Sequence, residues 1–220
     1  MTTMTHSEGG RFASTADVPV VALKRRTIDS VLIGVGAVVT VAFVVAGALL
    51  TWGSNFASDY VDDELSSQNI SFPPAAALQE EGRADLVKYA EEKVNTGPEA
   101  EAYASFINGH LQGIADGATY ADLGTPEREA KAAVETAKAD GASEATIAEL
   151  QGEADAISGQ RNTLFKGETL RGLLLTAFAW STVGRIAGYA AIAAFVAGGL
   201  MLVLVLLGMR HHHKVVVEES

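Results

Sequence analysis

Few residues of this chain combine a reactive type with a spacing that chemistry could use. Arg185 is the sharpest candidate, because it is the only charge between Leu173 and Met209. An ionisable group inside an apolar helix must be paired, hydrated or able to snorkel, and insertion scales put its cost at the bilayer centre at roughly 2.5 to 3.5 kcal/mol. Two placements follow. If hydrocarbon begins at Ile186, Arg185 marks the outer headgroup boundary and needs no further role. The alternative sets it between helices, as a lipid-headgroup or anion contact or against Asp59 of the first apolar helix. Among histidines, His110 stands alone in the middle of the chain, and His211, His212 and His213 form a cluster beside Arg210 and Lys214. A metal centre needs several convergent ligands, so one His among scattered carboxylates reads as a surface or helix-end residue. The triple His reads first as an interface marker, with adventitious metal binding or pH sensing as the functional alternative.

Nucleophilic and phosphate chemistry have no visible carrier. There is no Cys, no GxSxG, no HExxH and no Walker pattern, and Ser residues without a placed base do not make a triad. The acidic pairs Glu80-Glu81 and Glu91-Glu92, with Glu153 and Asp155, read as solvated helix faces. No catalytic, cofactor-binding or metal-ligating residue is assigned, no cofactor is expected, and the chain is not expected to be an enzyme.

The elements that would position these residues are dominated by two apolar runs. Val31 to Trp52 is a run of 22 uncharged residues and Ile186 to Met209 one of 24, about 36 Å of helix for the second at ~1.5 Å per residue, where about 20 residues suffice to cross hydrocarbon. The first is longer than the apolar core of a secretory signal, so it is expected to stay as an anchor. Lys24, Arg25 and Arg26 precede it, and Asp59, Asp62, Asp63 and Glu64 follow. Arg210 and Lys214 follow the second. The positive-inside rule therefore places both termini in the cytoplasm of a bacterial plasma membrane and the region between the runs outside. Gly34, Gly36 and Gly47 offer small surfaces on which another helix could pack closely, and Trp52 suits an interfacial belt.

Charge is segregated in the same way. From Phe56 to Glu168 there are 22 Asp and Glu against 8 Lys and Arg, whereas the chain as a whole carries −11. Such an acidic middle disfavours nucleic acid as its partner, and none is expected, since phosphate binding needs a basic face. The expected partners are the lipid bilayer and, through the spans, a second copy or another membrane protein.

The middle reads as helical throughout. Apolar spacing over 56–65 prolongs the first span into water until Ser71-Phe72-Pro73-Pro74 stops it. An amphipathic helix is expected over about 75–94, weakened by Gly82, and another over 99–113, with Tyr103, Phe106 and Ile107 as core anchors. Thr125 is expected to cap a helix that Pro126 begins, Asp140-Gly141-Ala142 to break it, and Ser143 to cap the next. In that next helix Ile147, Leu150, Ala154, Ile157, Arg161 and Leu164 recur at heptad spacing. Packing within the same chain is favoured for this seam over an intermolecular coiled coil. The expected organisation is a flexible cytoplasmic tail (1–27), a first transmembrane helix (28–53) and an extracytoplasmic acidic helical domain (54–168). An interfacial approach helix (169–185), a second transmembrane helix (186–209) and a cytoplasmic tail (210–220) complete it, and the fold class is all-α.

Three stretches carry a resemblance: Asp63-Glu64-Leu65-Ser66-Ser67-Gln68-Asn69-Ile70-Ser71-Phe72-Pro73; Tyr103 through Tyr120 with His110-Leu111 and Asp116-Gly117; and Thr169-Leu170-Arg171-Gly172-Leu173-Leu174 with Trp180. Here the chain resembles a group of uncharacterised actinobacterial two-span membrane proteins, some of which carry an automatic label as aromatic ring-opening dioxygenases. The resemblance implies a two-span architecture around an extracytoplasmic helical region. Ring-opening chemistry needs a redox metal commonly held by two His and a carboxylate, and the single His110 does not supply that set. Function is expected to be that of a structural or accessory component of the cell envelope acting through protein interactions. The alternative is a membrane-anchored sensor or a ligand- or cation-binding module.

Overall fold

The computed structural model describes residues 25–218, and side chains over 27–211. The protein is all-α: α1 (Arg25–Ser67), α2 (Ala75–Glu80), a 3₁₀ segment (Ala84–Tyr89), α3 (Gly97–Gln112), a short 3₁₀ turn (Ala115–Gly117), α4 (Gly124–Ala139) and α5 (Glu144–Glu218). Among the described residues there is no strand, only an isolated antiparallel bridge between Ser71 and Lys93. Most of the expected 1–27 tail lies outside the described residues. Two compact units are distinguished: α1 up to Val41 with α5 from Gly198, and everything from Ala42 to Ala197.

Helices α1 and α5 are long and apolar enough to cross a membrane, and only 11% and 17% of their most apolar stretches are buried. A core helix of a water-soluble domain would hide such surface. Valine-rich sequence has modest helix propensity, but in hydrocarbon a helix is one of the few ways to satisfy every backbone group. Hydroxyls follow the same rule: Thr40 Oγ1 donates to the Gly36 carbonyl and Thr51 Oγ1 to that of Gly47, both at 2.8 Å.

Between the two long helices a small core collects Val61 and Leu65 of α1, Phe72, Leu78, Leu86, Val94, then Ala100, Ala104 and Phe106 of α3, and Leu174 of α5. Phe72 is its aromatic centre, with ring centroids 5.2 Å from both Tyr89 and Tyr103. Of the three expected anchors, Phe106 is in the core, while Tyr103 and Ile107 pack against it half-buried. A second cluster joins Leu111, Leu123 and Leu164.

Helix α3 runs antiparallel to α5, and two glycines fix the register. A Cβ at Gly97 would strike the Ser181 side chain, and one at Gly167 would strike Leu111. The two contacts lie fourteen residues apart on each helix, so the helices touch along the whole of α3. The N-terminus of α3 is closed by Glu99, whose Oε2 accepts from the Asn95 and Thr96 amides at 2.9 Å.

Several local expectations change. The helix expected over 75–94 is split, because Gly82 adopts φ +72° after α2 and the chain resumes only as a 3₁₀ segment. Its apolar positions Leu78 and Leu86 are buried all the same. Helix α4 starts at Gly124 rather than after a Thr125 cap. A turn, in which the Thr119 amide and hydroxyl donate to Asp122 Oδ2 at 2.9 and 2.7 Å, leads directly into α4. Pro126 then falls within the first turn, where a missing amide costs no helical bond. Helix α4 ends as expected at Gly141 (φ +70°), with the Ala142 amide donating to the Ala137 carbonyl at 2.9 Å and that of Gly141 to Lys138 at 3.3 Å. Ser143 caps α5 by accepting from the Thr146 amide at 3.2 Å. The segment 169–185 is not a separate approach helix. It is part of the uninterrupted α5, which also continues past Met209, since no Pro interrupts it and one arginine does not break a helix.

Candidate functional site

The surface feature with the most convergent chemistry is a cleft of about 280 Å³ between the end of α1 and the middle of α5. Helix α1 contributes Tyr60, Val61, Glu64 and Leu65, and Gln68 follows just past its end; Val61, Glu64, Leu65 and Gln68 keep the three-and-four spacing of one face, with Tyr60 beside it. From α5 come Leu170, Leu173, Leu174, Ala177 and Trp180, at the same spacing. Val61, Leu65 and Leu174 form its buried floor, whereas Leu173, Trp180 and Tyr60 are 64%, 48% and 49% exposed. Polar groups stand at the rim: Glu64, Gln68 and Thr176. Glu64 is the sole carboxylate lining it, and no Lys or Arg does.

An aromatic ladder leads to the cleft along α1. Trp52 stacks on Phe56 with centroids 5.8 Å apart, and Phe56 on Tyr60 at 6.2 Å. Individual heptad and aromatic positions were visible in sequence. That Leu170, Leu173 and Trp180 share a wall with Tyr60 and Leu65 was not, because it depends on how α1 and α5 pair.

Arg185 is exposed on α5 and donates from Nη2 to its own-helix neighbour Thr182 Oγ1 at 3.2 Å. It makes no ion pair among the described residues, so the contact considered with Asp59 is not formed. Gly47 lies where a Cβ would come within 2.8 Å of Phe195, and Gly36 where one would come within 2.8 Å of Val205. Both touch α5 of the same chain. Gly34 has open space around it. The close approach of the larger unit continues at residues that the sequence did not single out, Gly184 against Ala57 and Gly188 against Ser54.

The acidic residue with the strongest local environment is Glu127 on α4. Lys131 Nζ donates to it at 2.7 Å, Arg161 Nη1 of α5 at 2.5 Å and Ser158 Oγ at 2.9 Å. Those donors, Lys131 first and then Arg161 and Ser158, hold its carboxyl at a pKa of about 2. Arg161 also lies over the Tyr120 ring at 4.1 Å. The polar member of the heptad-like seam is therefore the clamp that fastens α5 to α4, and Ala154 and Leu164 are buried on the same stripe. Arg83 is a second clamp, donating to the Ser105 carbonyl at 2.8 Å and to Asp85 at 2.9 Å; the guanidinium beside Asp85 lowers the carboxyl's pKa.

His110 pairs with Glu81 at 3.0 Å and sits edge-on to Phe106. Among the described residues no group of three or more His, Cys, Asp or Glu is placed to hold a metal ion. His212 and His213 lie beyond the described side chains. No known protein family, curated protein or solved structure matches the chain.

Proposed function

We propose that this protein is a two-span integral membrane protein of the cell envelope, acting as a structural or accessory component through protein interactions rather than as an enzyme. The observation that carries the proposal is the exposure of large apolar side chains along α1 and α5: Val31, Val38, Leu49 and Trp52 on one, Ile186, Ile192, Leu200 and Leu207 on the other, each at least 58% exposed. A continuous exposed surface of that kind is incompatible with water and suits lipid or another membrane helix. The helical unit between the spans would lie outside the cytoplasm, which accords with its acidic character and with the basic flanks at Arg25, Arg26 and Arg210. Two side-chain clamps and a packed core give that unit a firm shape to present.

Mild-detergent purification from native membranes, followed by mass spectrometry, tests this reading. A reproducible stoichiometric partner or a closed homo-oligomer is expected, and a clean monomer would overturn it. The alternative, a sensor or ligand-binding module, draws support from the uninterrupted course of α5 out of the packed helical unit into the apolar stretch. A ligand-dependent thermal shift of the full chain would favour it.

A further inference from the structure

We infer that the cleft between Tyr60–Gln68 and Leu170–Trp180 holds an acyl chain of a phospholipid with an ammonium-bearing headgroup, drawn from the leaflet on the side of the helical unit. This rests on the membrane-spanning reading above. Position is the first reason. Gly184 approaches Ala57 and Gly188 approaches Ser54, so these pairs stand at the level of Ile186, where the uncharged stretch begins. On α1 that level falls between Ser54 and Ala57, so Tyr60 stands four to five residues beyond it and Trp180 six, roughly 7 and 9 Å at ~1.5 Å per residue. The headgroup layer adds about 5 to 8 Å to each side of the hydrocarbon. The lower mouth of the cleft therefore opens at the outer edge of the headgroup layer, and the stacked Trp52, Phe56 and Tyr60 join it to the membrane-facing side of α1. The lipid surface and the cleft wall are continuous.

Size and charge specify the occupant. At about 280 Å³ the space lies at the lower edge of small-molecule sites, which run from about 300 to 1,000 Å³, and suits a single chain rather than a helix. Its apolar wall extends past any plausible hydrocarbon edge: Leu173 stands thirteen residues before Ile186, roughly 20 Å of helix, yet is 64% exposed. At the rim the ionisable lining is the Glu64 carboxylate and the Tyr60 phenol, with Asp62 and Asp63 next in sequence. The nearby cation Arg171 is engaged by Glu168 at 3.0 Å. A carboxylate rim without a lining cation attracts an ammonium group and repels an anionic headgroup.

The test uses the full chain carrying W52F, which leaves Trp180 as its only tryptophan, in nanodiscs of mixed phosphatidylcholine and phosphatidylglycerol. One lipid at a time is brominated near the middle of its acyl chains, so that a nearby chain quenches Trp180. The expected result is loss of Trp180 emission with brominated phosphatidylcholine, a smaller loss with brominated phosphatidylglycerol, and recovery of emission in L173Q. E64Q should level the two lipids. L173Q replaces an exposed side chain, and its helical content is checked by circular dichroism. Equal losses with both lipids before E64Q is introduced would mean that Trp180 meets only bulk bilayer, and no loss would mean that the cleft is empty or covered by protein; either result overturns the inference. Failure of the chain to enter nanodiscs at all would instead overturn the membrane reading beneath it.

Discussion

Leu78 offers the sharpest test of how the helical unit is held together. Its side chain is fully buried, yet it sits in α2, a helix of six residues that is far too short to persist alone. The segment is therefore held by the buried cluster that Leu78 joins, which also contains Leu86, Val94, Ala100 and Ala104. Leu78→Ala removes the buried side-chain atoms and leaves a cavity, at a cost of about 3 to 4 kcal/mol where the surroundings cannot collapse. Ala100 and Ala104 of the same cluster are already small and anchored on α3, which argues against collapse. At about 1.4 kcal/mol per tenfold, the smaller figure accelerates amide exchange through opening of the unit by roughly 10²-fold. Hydrogen-exchange mass spectrometry on the full chain in nanodiscs reads this directly in peptides covering 72–106. Peptides from 186–209 supply the internal reference, since their protection comes from the membrane-type helix. Acceleration below about fivefold, near 1 kcal/mol, would refute the assignment of Leu78 as the keystone of this core. Equal acceleration in 186–209 would refute its being a local core at all.

Three further outcomes are expected. Glu127 has its pKa lowered by Lys131, Arg161 and Ser158 to about 2, so the stability it contributes is complete above the unfolded carboxyl value of about 4.3 and is lost as pH falls toward 2. Pepsin cleavage within α4 of the native chain, taken relative to that of E127Q at the same pH so that the protease's own titration cancels, should rise from well below one at pH 5 toward one near pH 2. The Ser54 hydroxyl oxygen lies 3.0 Å and its Cβ 3.8 Å from the Cβ position at Gly188, the separation a disulfide needs. S54C/G188C should thus close an intrachain bridge under mild oxidation, seen as a mobility shift of the monomer, whereas an interchain product would overturn the pairing of α1 with α5. For orientation, A145C should react with an impermeant thiol reagent in intact cells and S220C should not, the native chain having no Cys; the reverse pattern would invert the proposed topology.

Much of the architecture is legible in the order of residues, because its causes are local or compositional. Uncharged runs of more than 20 residues require helices if they meet lipid, whatever surrounds them. The break at Gly141, the cap at Ser143 and the closure of α3 by Glu99 depend only on residues a few positions apart. Gly82 was visible as a weak point, but its consequence, a 3₁₀ segment in place of a continued helix, depended on Leu86 having to reach the same core as Leu78.

What the tertiary structure alone decided is which faces meet. Arg161 looked like a flaw in an apolar seam until α4 brought Glu127 to it, and Phe72 looked like part of a helix stop until Tyr89 and Tyr103 closed around it. Gly36 and Gly47 could have faced a second copy, but the antiparallel register of α1 and α5 turns both toward Val205 and Phe195 of their own chain and leaves Gly34 open. The same register places Tyr60 and Leu65 opposite Leu173 and Trp180. Periodicity along one helix states that a face exists, whereas the partner of that face follows from side-chain fit between segments more than a hundred residues apart, which no local pattern encodes.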